Sequence, residues 1–144
     1  MTLEKNFINP PDLPKWTQAF SQVVTVSNAG LLTIYLSGQV SVDQDNNLVG
    51  GDDLSKQADQ AFKNLELALA SVGATTSDVV KLNIYVKNYR FEDAGKIGDA
   101  LRKAFPHENL PASTWLGVQS LAVEGLLIEI DAIAVVAEKE LVKL

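Results

Sequence analysis

Two carboxylates, Glu129 and Asp131, stand two residues apart in the alternating segment 126–136, LLIEIDAIAVV. Side chains two apart on a β-strand point to the same face of a sheet, so the acids share one face while the alternate residues occupy the buried one. Carboxylates in so apolar a setting need hydrogen-bond or charge partners. We predict that chemistry is centred on this pair; the alternative is that both acids simply face solvent on an open antiparallel sheet.

The composition limits the classes of function. The 144 residues fit one domain, 1–144, that is long enough to bury a substantial core. A net charge of −6 and a pI near 4.7 weigh against nucleic acid as a partner, because its phosphates are bound by clustered basic residues. There is no cysteine and a single histidine, His107, so we predict no metal site.

The sequence also bears on location. The first sixteen residues carry acids and prolines where a signal peptide needs an apolar stretch. The longest uncharged stretch, 16–42, is interrupted throughout by polar residues and glycine, so it does not predict a membrane span. We expect a cytoplasmic protein with no membrane partner.

Local periodicity predicts an α+β fold with a mixed sheet and two helices on one face, in ββαβαββ order. Residues 1–15 carry three prolines and suit an extended lead-in. The predicted strands are Gln22–Val26, Leu31–Ser37, Val79–Val86, Ser113–Gln119 and Leu126–Val136, and the predicted helices are Leu54–Val72 and Phe91–Phe105. We expect the last two strands to be neighbours, since a short link joins them.

The sheet face without helices should carry aromatic and small polar side chains. By alternation this open face comprises Thr33, Tyr35, Ser37, Asn83, Tyr85, Ser113, Trp115, Glu129 and Asp131. Aromatic residues are enriched and lysine is depleted at protein interfaces. The pattern therefore predicts that the open face packs on other copies of the chain, with any pocket between subunits.

A set of short segments, in this order along the chain, resembles one known family. They are Phe20–Val24, Tyr35–Val40, Gly50-Gly51 before a helix with Asn64-Leu65, Val79–Lys81, Leu110–Ala112 and Ile128–Ala134. The chain is similar over nearly its whole length to the reactive intermediate deaminase family, also called Rid or YjgF. The ordered set is fairly specific, whereas Ser-Gly-Gln at 37–39 alone would be weak.

The resemblance implies a chorismate-mutase-like fold and a homotrimer with clefts between subunits. Active members of the family hydrolyse enamines or imines derived from amino acids, and release ammonia and a keto acid without a metal or an organic cofactor. Some members have also been described as endoribonucleases of the L-PSP type. A small-molecule metabolite is therefore the expected ligand.

The family's substrate-binding pattern is only partly present. The arginine that follows Pro-Ala and binds the substrate carboxylate is Ser113 here, so a bidentate cationic clamp becomes one neutral hydroxyl. The cysteine two residues further on is Trp115, and the tyrosine before Ser-Gln is Phe20. The helix asparagine falls on Gly95 or Gly98, neither of which can replace it.

Other family positions are retained. The acid thought to hold the attacking water corresponds to Asp131, one methylene shorter than the usual glutamate, and Glu129 is also present. Ser37, Gly38 and Gln39 match the family, and a serine beside a tight glycine can offer a hydroxyl and backbone N–H groups to a ligand oxygen.

Two functions follow, and we give them nearly equal weight. The first is a deaminase-like hydrolase with atypical substrate anchoring, in which Asp131 or Glu129 positions water while Ser37 and Gly38 hold the substrate. The second is a non-catalytic trimer that binds a small metabolite or has a regulatory role, with Trp115 and Phe20 lining an apolar cleft. An endoribonuclease is a distant third, given the acidic charge.

Overall fold

A computed structural model of the chain describes residues 3–138. It contains one six-stranded mixed sheet with the strand order β1-β2-β3-β6-β4-β5, in which only β4 and β5 run parallel. The elements are β1 (Glu4–Ile8), β2 (Val23–Asn28), β3 (Leu31–Val40), α1 (Leu54–Ala70), β4 (Val79–Lys87), α2 (Ala94–Ala104), β5 (Ala112–Val118) and β6 (Ile128–Ala137), with 3-10 turns at Thr76–Asp78 and Phe91–Asp93. The predicted α+β fold and element order are confirmed, with one further strand at the start.

The core lies between one face of the sheet and the two helices. Ile34, Ile84 and Ile130 from the three central strands form one buried cluster with Leu65 of α1 and Ile97 of α2. Phe62 and Phe105 meet edge to face between the helices, with ring centroids 6.2 Å apart. This packing covers one face of the sheet and leaves the other face open.

The extended lead-in predicted for residues 1–15 contains a short edge strand. Residues Glu4–Ile8 pair antiparallel with β2 at the edge of the sheet. The prolines begin only at Pro10, directly after the strand, so they end it rather than interrupt it. Residues 1–2 and 139–144 of the predicted domain 1–144 lie outside the described range.

The prediction that β5 and β6 are neighbours was wrong. β6 lies between β3 and β4, and β5 pairs in parallel with the far side of β4. The helix α2 connects β4 to β5, and a strand–helix–strand crossover returns the chain parallel to its starting strand. The short link between β5 and β6 therefore passes over β4 to the centre of the sheet.

Helix α1 begins at Leu54, as predicted, and ends at Ala70, two residues before the predicted end at Val72. The side chain of Asp53 accepts a hydrogen bond from the backbone N–H of Lys56 (3.1 Å), as an N-cap does. Gly73 follows the helix with φ of +75°, a conformation that glycine adopts without strain. The second helix starts three residues later than expected, because Phe91–Asp93 form a 3-10 turn.

Two buried amides on α1 fasten the helix to the loops beside the central strands. The Gln57 amide donates to the carbonyls of Gly51 (2.7 Å) and Gly125 (2.9 Å), and its oxygen accepts from the N–H of Leu127 (2.9 Å). The Asn64 amide donates to the carbonyls of Val40 and Val42, both at 2.8 Å. These bonds set the end of β3 and the start of β6 relative to α1.

Within residues 3–138, no helix is both long and apolar enough to cross a membrane.

Candidate active site on the open face of the sheet

The alternation predicted for β6 is present. Ile128, Ile130, Ala132 and Ala134 are buried beneath the helices, whereas Glu129 and Asp131 lie half-exposed on the open face. In the register with β4, Tyr85 is opposite Glu129 and Asn83 is opposite Asp131. Directly opposed residues share a face, so these four side chains form one group, here called the carboxylate cluster.

Asp131 has a defined hydrogen-bond partner. The amide of Asn83 donates to its carboxylate over 2.8 Å. Burial, followed by the interaction with Asp131 and then by the charge of Glu129, raises the pKa of Tyr85. Tyr85 therefore stays a neutral hydroxyl beside two acids.

The position of Glu129 changes the protonation equilibrium of its carboxyl. Burial, followed by the charge of Asp131, raises the pKa of its carboxyl. A carboxyl whose pKa lies closer to the working pH can both take up and release a proton during a reaction. This is the property that a general acid–base group needs.

The side chain of Glu129 lies directly against Gly38 of β3. A Cβ built on Gly38 would lie 2.6 Å from the carboxyl carbon of Glu129, closer than such atoms can approach. With any other residue at position 38, the Glu129 side chain would have to move away from β3. Of the two acids, Glu129 is the one in contact with the Ser-Gly segment that the sequence singled out.

That segment is an irregularity in β3. The register between β3 and β6 shifts between Leu36 and Gln39, as in a β-bulge. The hydroxyl of Ser37 donates to the carbonyl of Ser21, and the Ser37 N–H donates to the carbonyl of Gln22 (2.9 Å). Bulges are frequent beside active sites because they redirect the strand.

Gln39, which we predicted to bind substrate, is buried and hydrogen-bonded to the bulge. It is 2% exposed, and its amide donates to Gln22 (2.8 Å) and to the carbonyl of Ser37 (3.0 Å). A side chain enclosed in this way is not available to a ligand on the open face of this protomer.

Ser113 and Trp115 do not lie on the predicted face. Ser113 is opposite Leu82 and Trp115 opposite Ile84 in the β4–β5 register, which places both on the side covered by helices. Trp115 packs partly buried against the core, and its Nε1 donates to the Ser113 hydroxyl (3.1 Å). These two residues and the carboxylate cluster are thus on opposite faces of one protomer.

Their neighbours take the open face instead. Thr114 is opposite Asn83 and accepts a hydrogen bond from the Lys81 ammonium (2.9 Å), while Leu116 is opposite Tyr85 and is half-exposed. The face of β5 was misassigned because its sequence lacks a clear apolar alternation.

Phe20 lies at the border of the site. It is 41% exposed and stacks on Trp16, with ring centroids 6.3 Å apart. Its chain neighbour, Ser21, is the residue whose carbonyl accepts the Ser37 hydroxyl. Phe20 is thereby held close to the bulge without being buried.

The remaining candidate positions have structural roles. The guanidinium of Arg102 covers the buried Gly98, 3.2 Å from where its Cβ would be, whereas Gly95 has open space beside it. His107 Nε2 lies 2.9 Å from the Thr76 hydroxyl, which also donates to a helix carbonyl. Among the described residues, no group of three acidic or histidine side chains could hold a metal ion.

Asn83 and Tyr85 were predicted to share the acids' face, but no role was assigned to them. Their positions in strand β4 alternate with buried residues in the same way as Glu129 and Asp131 do in β6. The alternation in each strand could therefore have identified these residues. The missing information was that β4 pairs with β6, which brings the four side chains of the carboxylate cluster together.

Comparison with known proteins gives consistent results. The model of the family described as Endoribonuclease L-PSP matches residues 11–136. A 2-iminobutanoate/2-iminopropanoate deaminase of Dermatophagoides farinae is 34% identical over 132 residues, covering 92% of this chain and 97% of that protein. The protein of the same name in Rattus norvegicus is 32% identical over 131 residues, covering 91% of this chain and 90% of that protein.

Solved structures agree with the sequence relatives. The Rid-family protein YyfA from Yersinia pestis superimposes with a TM-score of 0.78 at 30% identity, covering 92% of this chain and 100% of that one. RidA from the Antarctic bacterium Psychrobacter sp. PAMC 21119 has a TM-score of 0.77 at 26% identity, covering 91% of this chain and 99% of that one.

Proposed function

Because the chain belongs to the endoribonuclease L-PSP family, also called Rid or YjgF, we propose that it hydrolyses enamine or imine metabolites without a cofactor and with atypical substrate anchoring. The observation that carries this proposal is the carboxylate of Glu129, which has a raised pKa and lies against Gly38 on an accessible sheet face. The deaminase names of relatives about 30% identical to the chain support the same reaction class.

The reaction asks little of the protein beyond positioning and proton transfer. Water adds to the carbon of a protonated C=N bond while Glu129 accepts one of its protons. Glu129 then returns that proton to the nitrogen of the adduct. As the C–N bond breaks, Glu129 takes up the proton of the adduct's hydroxyl, which leaves a carbonyl product and ammonia, and transfer of this proton to the ammonia gives ammonium and restores the carboxylate. The contact with Gly38 favours Glu129 over Asp131 as the group that holds the water.

Substrate anchoring must differ from a guanidinium clamp. Ser113 stands where active relatives have arginine, and it lies on the helix-covered face. The two arginines, Arg90 and Arg102, lie within ion-pair distance of Glu92 (3.8 Å) and Asp99 (2.7 Å), with strongly exposed side chains. We therefore propose a substrate that does not depend on a carboxylate for binding, held in part by Ser37 and Gly38.

We further propose that the protein is a homotrimer with its clefts between subunits. The open face exposes Tyr35 and Leu116 beside half-buried apolar residues of β2 and β6, and an apolar surface of this kind is typical of an interface. Within one protomer, Ser113 and Trp115 lie on the opposite sheet face from Glu129. Ser113 and Trp115 of one subunit can therefore share a cleft only with Glu129 of another subunit.

A second function, a non-catalytic trimer that binds a small metabolite, is favoured by one specific observation. The position of the clamp is a neutral serine that already accepts a hydrogen bond from Trp115, an arrangement suited to packing rather than to charge recognition. Endoribonuclease activity remains the third possibility, opposed by the net charge of −6.

Ammonia release tests the first function. We would assay freshly generated 2-iminobutanoate and an imine without a carboxylate, using wild type, Glu129→Gln, Ser113→Arg and the control Glu124→Gln in the exposed loop before β6. We expect wild type to prefer the imine without a carboxylate and Glu129→Gln to lose ~100-fold or more of the rate, the usual contribution of an acid–base group. We expect Ser113→Arg to improve turnover of 2-iminobutanoate.

The controls separate the two functions. Glu124→Gln should match wild type. Equal rates for wild type and Glu129→Gln would refute the role of Glu129, and a wild type inactive on every imine would favour the binding trimer.

A further inference from the structure

Trp16 and Phe20 form a stacked pair at the border of the site, here called the aromatic pair. Backbone hydrogen bonds from the N–H groups of Ala19 (2.8 Å) and Phe20 (2.9 Å) to the Trp16 carbonyl close one turn of the chain. The two rings stack with centroids 6.3 Å apart and planes inclined by 23°. Trp16 is half-buried and Phe20 is 41% exposed, so the pair presents aromatic surface to solvent in the protomer.

The loop that carries the aromatic pair is fixed at both ends. Before the pair, Leu13 is 1% exposed, and the Pro14 carbonyl accepts a hydrogen bond from the Gln22 amide (2.8 Å). After it, the backbone N–H of Gln22 donates to the side chain of Asn9 (3.1 Å), and the Gln22 side-chain oxygen accepts from Gln39 (2.8 Å). The fold itself therefore positions the two rings, which lowers the entropic cost of binding a ligand against them.

Short contacts join the aromatic pair to Glu129. Phe20 precedes Ser21, whose carbonyl accepts the hydroxyl of Ser37. Ser37 precedes Gly38, and the Glu129 carboxylate lies against Gly38. Two peptide bonds and two direct contacts thus connect an exposed aromatic residue to the acid that is proposed to hold water.

We propose that the aromatic pair binds an aryl group of the substrate, so that the protein acts on imines or enamines that carry an aromatic ring and no carboxylate. This inference rests on the proposed function, because it names the substrate class for the same site. A centroid separation of 6.3 Å is that of rings in direct contact. The substrate ring therefore stacks on the exposed side of the pair rather than between its two members.

The residue at the clamp position makes apolar contact necessary for binding. Ser113 offers one neutral hydroxyl, which already accepts a hydrogen bond from Trp115 (3.1 Å). Without a cation at this position, the non-reacting part of the substrate has to supply the binding energy that orients the reacting bond. An aromatic ring gains from stacking in addition to the area that it buries, whereas an alkyl chain gains from the area alone. The pair therefore favours an aryl substrate over an alkyl substrate.

Binding of two stable amides tests the inference without turnover. Phenylacetamide and butanamide share a planar, neutral head group that resembles the C=N group, and they differ in carrying a ring or an alkyl chain. An NMR titration of the full chain, followed at the backbone N–H of Gly38 and the indole N–H of Trp16, gives both dissociation constants. We expect phenylacetamide to bind about 5- to 10-fold more tightly, the factor that a stacking contact provides.

Variants of the aromatic pair separate stacking from a structural role. Trp16→Leu and Phe20→Leu keep an apolar side chain, so phenylacetamide should bind about 5-fold more weakly while butanamide binding stays unchanged. Trp16→Phe keeps a ring and should retain the preference. The control Phe91→Leu, at a position 92% exposed before α2, should match wild type toward both amides. If Trp16→Leu does not fold, Phe20→Leu, at an exposed position, still decides the outcome.

Ammonia release links binding to turnover. The matching imines are generated in situ from 2-phenylethylamine and from butylamine by a flavin-dependent amine oxidase. We expect wild type to have the higher kcat/KM for the aryl imine, and both leucine variants to lose that preference.

The outcomes distinguish this inference from the proposed function. Equal affinity of wild type for the two amides, no binding of phenylacetamide, or an equal weakening of both amides in the leucine variants would overturn the inference. Equal kcat/KM values for the two imines would also overturn it, while the proposed function would stand. A wild type that is inactive on both imines but prefers phenylacetamide would overturn the proposed function and support the aryl-binding site.

Discussion

Gly38 and Glu129 make the site at the scale of single residues. The absence of a side chain at position 38 lets the carboxylate lie back against β3, and this half-buried position raises its pKa. The same position lowers the stability of the folded protein when Glu129 is ionised, because an ionised carboxylate is less well solvated there than in the unfolded chain.

The poorer solvation of ionised Glu129 in the folded state predicts that the stability of the protein depends on pH. Because folding raises the pKa of Glu129 above its ordinary value of 4.5, the folded state binds the proton more tightly than the unfolded state. The resulting stabilisation is complete below that ordinary value and is lost as the pH rises through the folded pKa. We therefore expect Glu129→Gln to become more stable relative to wild type as the pH rises from 4 to 8.

Urea unfolding at several pH values, at one protein concentration, measures this difference. Glu124→Gln, which changes an exposed acid, is the matched control and should follow wild type. A constant stability difference between Glu129→Gln and wild type across the pH range would contradict the prediction.

At the scale of elements, helix α1 determines where the site's strands meet. Gln57 makes three hydrogen bonds, to Gly51, Gly125 and Leu127, and the last two residues lie just before β6. The start of β6, and hence the position of Glu129, therefore depends on a side chain from the opposite face of the sheet.

Replacing Gln57 by alanine should destabilise the protein by about 2–4 kcal/mol, because backbone groups lose their partners inside the fold. Gln60→Ala is the control on the same helix, since Gln60 is half-exposed and makes one bond, to Asn64. Urea unfolding should show a much smaller loss for that variant. Equal losses of unfolding free energy in the two variants would contradict the prediction that the hydrogen bonds of Gln57 stabilise the fold.

The elements that could be predicted from the sequence are those with a local pattern. The apolar stripe of α1 and the alternation of β6 each repeat within a few residues, and both were confirmed. By alternation Val80 would share the buried face of Leu82 and Ile84, yet it is 50% exposed because the β4–β6 register shifts between Val79 and Lys81. Such a register shift moves a side chain to the other face of the sheet, and the local sequence pattern does not predict it.

The site was only partly predictable for the same reason. Glu129 and Asp131 follow from alternation within one strand, but the contact with Gly38 depends on a bulge and on which strands pair. Ser113 and Trp115 were assigned to the wrong face because β5 has no clear apolar alternation, so that only its register with β4 shows which side chains face the helices. The sequence alone therefore did not predict which distant segments pair.

At the scale of the whole molecule, the open face is the surface through which the proposed trimer would assemble. Its centre combines Tyr35 of β3, 46% exposed, with Ile133 of β6 directly opposite. A second copy would cover this apolar surface, and the same contact would enclose the carboxylate cluster in a cleft. Activity and assembly should thus be lost together.

Tyr35→Glu should therefore convert the proposed trimer to monomers at micromolar concentration, since a new charge would have to be desolvated in the interface. Sedimentation velocity measures the change, and circular dichroism should remain that of the folded chain because Tyr35 is exposed in the protomer. Phe91→Glu, at a position 92% exposed before α2, is the control. A monomeric wild type, or a trimeric Tyr35→Glu, would contradict the prediction.

The central place of β6 has a consequence for how the protein is made. Among residues 3–138, β6 is the last strand in chain order, yet it fills the gap between β3 and β4. As the chain emerges from the ribosome, the first three strands and the β4–α2–β5 unit must wait as two pieces with unpaired edges, which are prone to aggregation. The sheet closes only when β6 is available to both pieces, so the strand that carries the acids also completes the fold.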